Sequence, residues 1–132
     1  MGKIKFSEQT IRAGFLVQTP DWYGYKITKH TEKPSDKGTI NHFLIFEGKT
    51  GEMNGVPVVF MCNEKADWVA LPLFKAALGN QDPDPNKEYD WDDLVGLELE
   101  AMTKRGEDQN GAPRNSLIEF SPKGTNVKEW RV

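Results

Sequence analysis

The sequence predicts a mainly β protein: a small five-stranded Greek-key barrel with one short helix between the third and fourth strands. Three observations support this prediction. Five segments alternate apolar and polar residues in the way that is typical of strands. Asn-Gly pairs, which favour type I′ turns, occur at Asn54–Gly55 and Asn110–Gly111, after the second and fourth strands. The apolar residues take a helical period only between residues 66 and 79.

Length and composition are those of one folded domain. The 132 residues are 37% hydrophobic and 28% charged, and they are enough to bury a single core. The one cysteine, Cys62, excludes an intrachain disulfide and fits a reducing compartment. The longest apolar run, "VPVVFMC", is too short to span a bilayer, and the first ten residues lack the apolar core of a signal peptide. We therefore expect a cytoplasmic protein without a membrane partner.

The first two strands follow an N-terminal arm, residues 1–20, and open a barrel that we expect to cover residues 21–121. The first strand, 22–31, alternates its side chains so that Trp22, Lys26 and His30 share one side. A loop at 32–38, rich in turn-forming residues, leads to the second strand, 39–48. One face of this second strand carries Ile40, His42, Leu44 and Phe46, and the other carries Asn41, Phe43, Ile45 and Glu47. Since a slip of one residue exchanges Phe43 with Leu44, the register stays open.

The remaining elements complete the order β–β–β–α–β–β. The third strand, 56–63, has Pro57 near its start, where a missing N–H is tolerated. The spacing of apolar residues predicts a helix over 71–78, with Pro72 in its first turn and Gly79 at its C-terminal cap. An irregular acidic connection, 80–93, precedes the fourth strand at 94–104 and the fifth at 114–121. The tail, 122–132, ends near Trp130, and we expect it to pack back on the barrel.

This element order is that of an OB-fold, in which the loops after the first and fourth strands flank the ligand-binding face. Charge neither supports nor excludes a nucleic-acid ligand. The net charge is −3, but residues 80–108 hold ten acidic against three basic residues, whereas residues 1–79 hold ten basic against eight acidic. A polyanion can therefore contact one face of the molecule without strong long-range steering.

Candidate binding residues are aromatic side chains beside cations, because every base has a π-face and every nucleotide a phosphate. The candidate stacking residues are Trp22 and Phe43. The candidate cations around the first strand and its loop are Lys26, Lys29, Lys33 and Lys37, and those at the base of the last hairpin are Lys104, Arg105 and Arg114. The alternative is that the termini cover the aromatic residues and that the cations are solvated or paired with Glu107 and Asp108.

Support for catalysis, a metal or another cofactor is weak. Asp90, Asp92 and Asp93 resemble a Mg²⁺ cluster, but such a run more often caps a turn. His30, His42 and Cys62 lack any spacing that is typical of zinc ligands. The sequence holds no P-loop, dinucleotide fingerprint or nucleophile elbow. We therefore predict a protein that is not an enzyme, with no catalytic residues, no metal and no cofactor.

Several stretches resemble a family of small phage-encoded OB-fold single-stranded DNA-binding proteins, many of them uncharacterised, from replication and recombination modules. The resemblance covers roughly residues 20–121. It rests on "WYGYKITKHTEKPSDKGTINHFLIFEG", "WVALPLFKAALG" and "WDDLVGLELEAMTKRGEDQNGAPRNSLIEFSP" in that order. It implies DNA-binding residues at Trp22, Lys26, Phe43, Lys104, Arg105 and Arg114. The chain departs from the family pattern in its basic end, "NVKEWRV", where many such proteins have an acidic tail that recruits partner enzymes.

The sequence thus leads us to expect a protein that binds single-stranded DNA with little sequence preference and protects it in phage replication, recombination or repair. Since one such barrel covers only ~4–16 nucleotides, we expect a homodimer or a cooperative oligomer, with replication or recombination proteins as further partners. If the protein is phage-encoded, its compartment is the cytoplasm of the host cell. The alternative from another class is a protein-interaction or virion-assembly adaptor. A metal-dependent nuclease built on "DWDD" comes third.

Overall fold

A computed structural model describes residues 2–130. They form one five-stranded antiparallel sheet with the strand order β3-β2-β1-β4-β5. The strands are β1 (Asp21–Pro34), β2 (Ile40–Gly48), β3 (Pro57–Asn63), β4 (Glu98–Glu107) and β5 (Pro113–Pro122). The α-helices are α1 (Glu8–Arg12) and α2 (Asp67–Ala77), and short 3-10 turns lie at Gly51–Met53 and Trp91–Leu94. None of the described helices is long and apolar enough to cross a membrane.

The central strand, β1, pairs with two different strands along its length. Its first part pairs with β4, from Asp21 opposite Thr103 to Lys26 opposite Glu98. Its second part pairs with β2, ending with Pro34 opposite Ile40. A β-bulge between Ile27 and Lys29 lies where one pairing gives way to the other. Because a bulge adds one residue to one strand, it bends β1 and changes which side chains face inward.

The core lies on one side of this sheet. Its largest buried side chains come from the sheet and include Tyr25, Ile27, Leu44, Phe46 and Leu99. Other elements close it: Val17 from the N-terminal segment, Leu73 from α2 and Leu94 from the second 3-10 turn are almost fully buried. The burial of Leu44 and Phe46 confirms the predicted face pattern of the second strand and decides its register.

The two edge strands, β3 and β5, approach each other but are not paired by hydrogen bonds in the described residues. Phe60 of β3 meets Phe120 of β5 edge to face, with ring centroids 5.3 Å apart. Helix α2 contacts both strands beside this gap. The predicted mainly β fold, with five strands and a helix between the third and fourth, is confirmed, but the sheet is not closed into a barrel.

Two predicted boundaries are wrong by four residues. Helix α2 begins at Asp67 rather than at 71, so Pro72 lies inside the helix instead of in its first turn. Strand β4 begins at Glu98 rather than at 94, because the chain first forms the 3-10 turn and then passes Gly96, whose φ of +93° interrupts an extended strand. At β4 a capped 3-10 turn takes residues that the apolar pattern alone assigned to the strand, whereas the start of α2 has no side-chain cap.

The Asn-Gly pairs mark turns, but not of the predicted type. Asn54 has φ −55° and ψ 123° and Gly55 has φ +81°, which describe a type II turn. At the last hairpin Gly111 has φ +80°, whereas Asn110 is not among the residues with positive φ. A type I′ turn needs positive φ at both central residues, so neither site forms one.

Segments near both ends of the described chain pack on the sheet. The N-terminal segment inserts Val17 into the core, and Trp130 of the tail covers Gly24 of β1, where an added Cβ would lie 2.6 Å from the indole. The expectation that the tail packs back is confirmed. Met1 of the predicted arm and Arg131 and Val132 of the predicted tail lie outside the described residues.

Candidate nucleic-acid interface

The face of β1, β2 and β3 that points away from this core forms the floor of the candidate interface. Residues opposite each other in an antiparallel pair lie on the same face, so the register defines this floor. Lys29 lies opposite Ile45, and Phe43 lies opposite both Thr31 of β1 and Met61 of β3. Val59 and Met61 are 56% and 45% exposed, which is a large fraction for apolar strand residues. Exposed apolar side chains that adjoin one another in this way typically mark a binding surface.

A groove of about 500 Å³ runs over this floor. One wall is the N-terminal segment 13–16, and the other is the loop between β4 and β5, including Asp108, Gln109 and Asn110. A second hollow, beside the loop between β1 and β2, shares Met61 and Gln109 with the first. The two hollows are therefore continuous, and they run between the loops after β1 and β4.

The N-terminal wall is held by side chains of the last hairpin. Asn115 donates from Nδ2 to the carbonyl of Phe15 and accepts from the backbone N–H of Val17, both at 2.8 Å. Arg105 donates from Nε to the carbonyl of Val17 at 2.7 Å. These bonds join residues about a hundred positions apart, so the wall forms only when the sheet is complete.

A second anchor of the N-terminal segment is Glu52, in the first 3-10 turn. Its Oε1 accepts hydrogen bonds from the backbone N–H groups of Gln18 at 2.6 Å and of Thr19 at 2.8 Å. The bond from Thr19 is the main reason why the pKa of the Glu52 carboxyl is lowered, and the bond from Gln18 adds to it. Arg12 donates to the carbonyl of Glu52 at 2.6 Å, which fixes the same turn from the other side.

Cations border the groove along its length. The Nζ of Lys33 lies 5.6 Å from the centre of the Phe43 ring, within the range of a cation–π contact. Lys37 and Lys65 line the second hollow, and Arg114 lines the first. The carboxylate of Asp108 also lines the groove, but its Oδ1 is occupied by the backbone N–H groups of Asn110 and Ala112, at 2.8 and 2.9 Å.

The structure brings five of the nine predicted site residues to this surface: Lys29, Lys33, Lys37, Phe43 and Arg114. Two others, Trp22 and Lys26, lie on the part of β1 that pairs with β4, on either side of the position that the Trp130 indole covers. Lys104 is exposed on β4, and Arg105 is engaged with Val17. The predicted set therefore divides among the groove, the surface around the tail and two further positions on β4.

The tail is fastened by Glu100 of β4, a fully buried carboxylate. It accepts hydrogen bonds from three backbone N–H groups and two side chains: Gly124 at 2.9 Å, Asn126 at 2.7 Å, Val127 at 3.0 Å, the Ser121 hydroxyl at 3.2 Å and the Trp130 indole at 3.4 Å. A buried carboxylate needs such a shell of donors. The tail that covers the surface beside Trp22 is consequently fixed to the folded domain.

The sequence predicted that His30 shares a side with Trp22 and Lys26, and this prediction is wrong. The bulge after Ile27 reverses the alternation, so Lys29 faces outward and His30 faces inward, beside His42 of β2. Nothing in the run Ile27-Thr28-Lys29 signals a bulge, because neither Gly nor Pro occurs there.

The two histidines form a cluster with Trp91 and Asp92 on the other face of the β1–β2 hairpin. His30 Nδ1 lies 2.6 Å from Asp92 Oδ1, and His30 Nε2 lies 2.9 Å from His42 Nδ1. The indole of Trp91 stacks on His42, with centroids 4.6 Å apart and planes within 9°. Burial is the main cause that lowers the pKa of His42, although Glu32 opposes it.

The acidic run "DWDD" has structural roles for two of its carboxylates. Asp90 Oδ1 accepts from the backbone N–H of Asp92 at 2.9 Å and so caps the 3-10 turn. Asp92 itself contacts His30. The run positions Trp91 over the histidines. This agrees with the interpretation, made from the sequence, that the segment caps a turn.

Sequence reasoning missed the contribution of β3 to the groove. Val59 and Met61 alternate with the buried Val58 and Cys62, but the segment "VPVVFMC" is apolar on both faces, so its pattern hides which side is exposed. Cross-strand pairing identifies them, because Met61 lies opposite Phe43. Gln109 was also missed, since a loop residue has no periodic signal.

Comparison of the chain with models of known protein families gives no match, and comparison with curated protein sequences gives none either. The geometry of the groove and its charges therefore carries the functional inference.

Proposed function

We propose that the protein binds single-stranded DNA in the groove over β1, β2 and β3, without strong sequence preference and without catalysis. The observation that carries this proposal is the combination of an apolar floor, formed by half-buried Phe43 and exposed Val59 and Met61, with cations along its borders. Stacking platforms beside cations suit a ligand whose bases are unpaired and whose backbone is anionic.

We also propose that the fold is an OB-fold with an unpaired β3–β5 seam. The support is the position of β1 between β2 and β4, and the position of α2 between β3 and β4 in sequence and beside the seam in space. In OB-folds the face of strands 2 and 3 and the loops after strands 1 and 4 bind oligonucleotides and oligosaccharides. The groove described above has this location.

The binding mechanism divides between two kinds of contact. Bases stack on Phe43 and on the apolar side chains beside it, and each stacked base contributes roughly 1–3 kcal/mol. Phosphates pair with Lys29, Lys33, Lys37 and Arg114 and with Lys65, which makes the affinity depend on salt. Because of the resemblance to phage single-stranded DNA-binding proteins, we propose that this activity serves replication, recombination or repair. Coating longer strands then calls for a homodimer or a cooperative oligomer.

The proposal is tested by fluorescence anisotropy of a labelled oligo-dT of ~30 nucleotides, long enough for several footprints. The protein is titrated at two salt concentrations, with an unlabelled duplex of the same length as competitor. The proposal predicts saturable binding that weakens as salt rises and that the duplex does not displace. Absence of binding at micromolar protein and low salt would contradict it.

One observation favours a second candidate, a protein-interaction or virion-assembly adaptor. Trp68 and Leu71 of α2 are exposed on the same helix, beside a hollow of about 490 Å³. Exposed apolar patches of this kind typically contact another protein. If this candidate is correct, Trp68→Ala abolishes binding of the partner protein and leaves the affinity for oligonucleotides unchanged. Phe43→Ala then changes neither the partner binding nor the oligonucleotide affinity. Because an apolar interface barely responds to salt, a salt series separates the two candidates.

A further inference from the structure

We propose that His30, His42 and Glu32 form a binding site for a divalent transition-metal ion, with Zn²⁺ as the best match. Sequence spacing does not reveal it, since the two histidines are twelve residues apart and lie on different strands. The register creates the site: Glu32 lies directly opposite His42, and His30 is two residues from Glu32 on the same strand face. The site is separate from the groove, on the other face of the same hairpin.

The ligand atoms have the separation that one ion requires. His30 Nε2 and His42 Nδ1 are 2.9 Å apart, and Glu32 Oε1 lies 4.0 and 3.7 Å from them. A point about 2.1 Å from all three atoms exists within this triangle, which matches Zn–N and Zn–O bond lengths. A tetrahedral ion holds its ligand atoms roughly 3.3 Å apart, so the two nitrogens separate slightly and the carboxylate moves inward.

His30 is already oriented as a metal-bound histidine would be. Its Nδ1 lies 2.6 Å from Asp92 Oδ1, and a hydrogen bond to that carboxylate directs the lone pair of Nε2 toward His42 and Glu32. A carboxylate that holds the far nitrogen of a ligand histidine is the usual outer partner in such sites. The hydrogen in the contact between the rings then belongs to His42 Nδ1. Ion binding moves that proton to Nε2 of His42, so the ring stays neutral.

Burial gives the site one closed and one open side. The side chains of His30 and His42 are 4% and 8% exposed, and the Trp91 indole covers His42. The Glu32 side chain is 57% exposed, so the ion can enter from this side and keep a water as its fourth ligand. Two imidazoles and one carboxylate favour Zn²⁺, Co²⁺, Ni²⁺ or Cu²⁺ over Mg²⁺ and Ca²⁺, which prefer oxygen ligands alone.

The test uses the full chain without a polyhistidine tag, because it has only two histidines of its own. Zn²⁺ affinity is measured by competition with a chromophoric chelator, and Co²⁺ is added as a spectroscopic probe. We expect one ion per chain and visible Co²⁺ bands of a nitrogen–oxygen site. An intense near-ultraviolet thiolate band would instead identify Cys62, which lies opposite His42 on β3, as a ligand and would overturn the proposed set.

The variants separate metal binding from folding. Glu32→Gln changes an exposed side chain and keeps its size, so we expect an intact fold and a loss of Zn²⁺ affinity of at least tenfold. Asp92→Asn should cost about 10- to 100-fold. Glu119→Gln, an exposed position on β5, is the matched control and should leave the affinity unchanged. No saturable binding in the parent chain, or equal affinity in the parent and in Glu32→Gln, would overturn the proposal.

Discussion

Phe43 is the residue on which the proposed DNA-binding surface is centred. Its ring has Lys33 above it, at 5.6 Å, and Met61 opposite it on β3. Leu44, the next residue, is fully buried, so the two neighbours have different roles. Phe43 can therefore be changed with a smaller effect on the core than a change at Leu44.

We predict that Phe43→Ala weakens oligo-dT binding by about 5- to 150-fold, which corresponds to the 1–3 kcal/mol of one stacked base. Anisotropy titrations measure the affinity, and thermal unfolding checks that the fold remains. Ile118→Ala removes a similar exposed apolar side chain from β5 and is the control, for which no change in affinity is expected. Equal affinities of Phe43→Ala and the parent chain would remove Phe43 from the site.

Glu100 is the residue that secures the C-terminal tail. We predict that Glu100→Gln lowers the free energy of unfolding by about 2–4 kcal/mol, because an amide nitrogen would face donors that now bond to a buried charge. Chemical denaturation measures the change. Glu98→Gln on the same strand, where an exposed carboxylate pairs with Lys123 at 3.1 Å, should cost less than about 1 kcal/mol. Similar losses in the two variants would contradict the role of Glu100.

Among the elements, the strands were predicted best where one face is buried. The alternation along β2 identifies Leu44 and Phe46 as core residues because burial on one face imposes a period of two. The same reasoning fails along β1 after the bulge, because the extra residue reverses the alternation beyond it and no local residue type marks its position here. His30 was consequently assigned to the wrong face, and the histidine cluster was not anticipated.

Helix α2 and the connections show a second limit. The helix itself follows from its apolar spacing, but its start at Asp67 does not, because Pro72 resembles a first-turn residue. The N-terminal wall of the groove depends on hydrogen bonds from Asn115 and Arg105. No local pattern encodes contacts over about a hundred residues, so the groove could be predicted only in part.

The N-terminal segment should respond to acid through Glu52. Its pKa is lowered in the folded protein, so its contribution to stability is present above the pKa of the unfolded chain and is lost as the pH falls through the folded value. We predict that Glu52→Gln destabilises the protein at neutral pH and that the difference from the parent chain shrinks under acid conditions. Denaturation curves at several pH values measure this. A difference that does not change with pH would contradict the anchoring role.

For the whole molecule, the positions of the charged residues say more about a polyanion ligand than the net charge does. The net charge of −3 gives no indication of a polyanion ligand, yet Lys29, Lys33 and Lys37 lie along one face of the β1–β2 hairpin and its loop. The carboxylates of Glu32 and Asp92 lie on the opposite face with the histidines. A single sheet thus separates the proposed anion-binding surface from the proposed metal site.

The measurement that tests the DNA-binding proposal most directly is the dependence of oligo-dT affinity on salt in the parent chain and in a variant that combines Lys33→Gln, Lys37→Gln and Arg114→Gln. A control that combines Lys75→Gln, Lys87→Gln and Lys128→Gln removes the same charge from exposed positions outside the groove. Each phosphate contact contributes roughly 0.7 to the slope of log affinity against log salt, so the groove variant should lose about 2 and the control almost nothing. Equal slopes in the two variants would contradict the account.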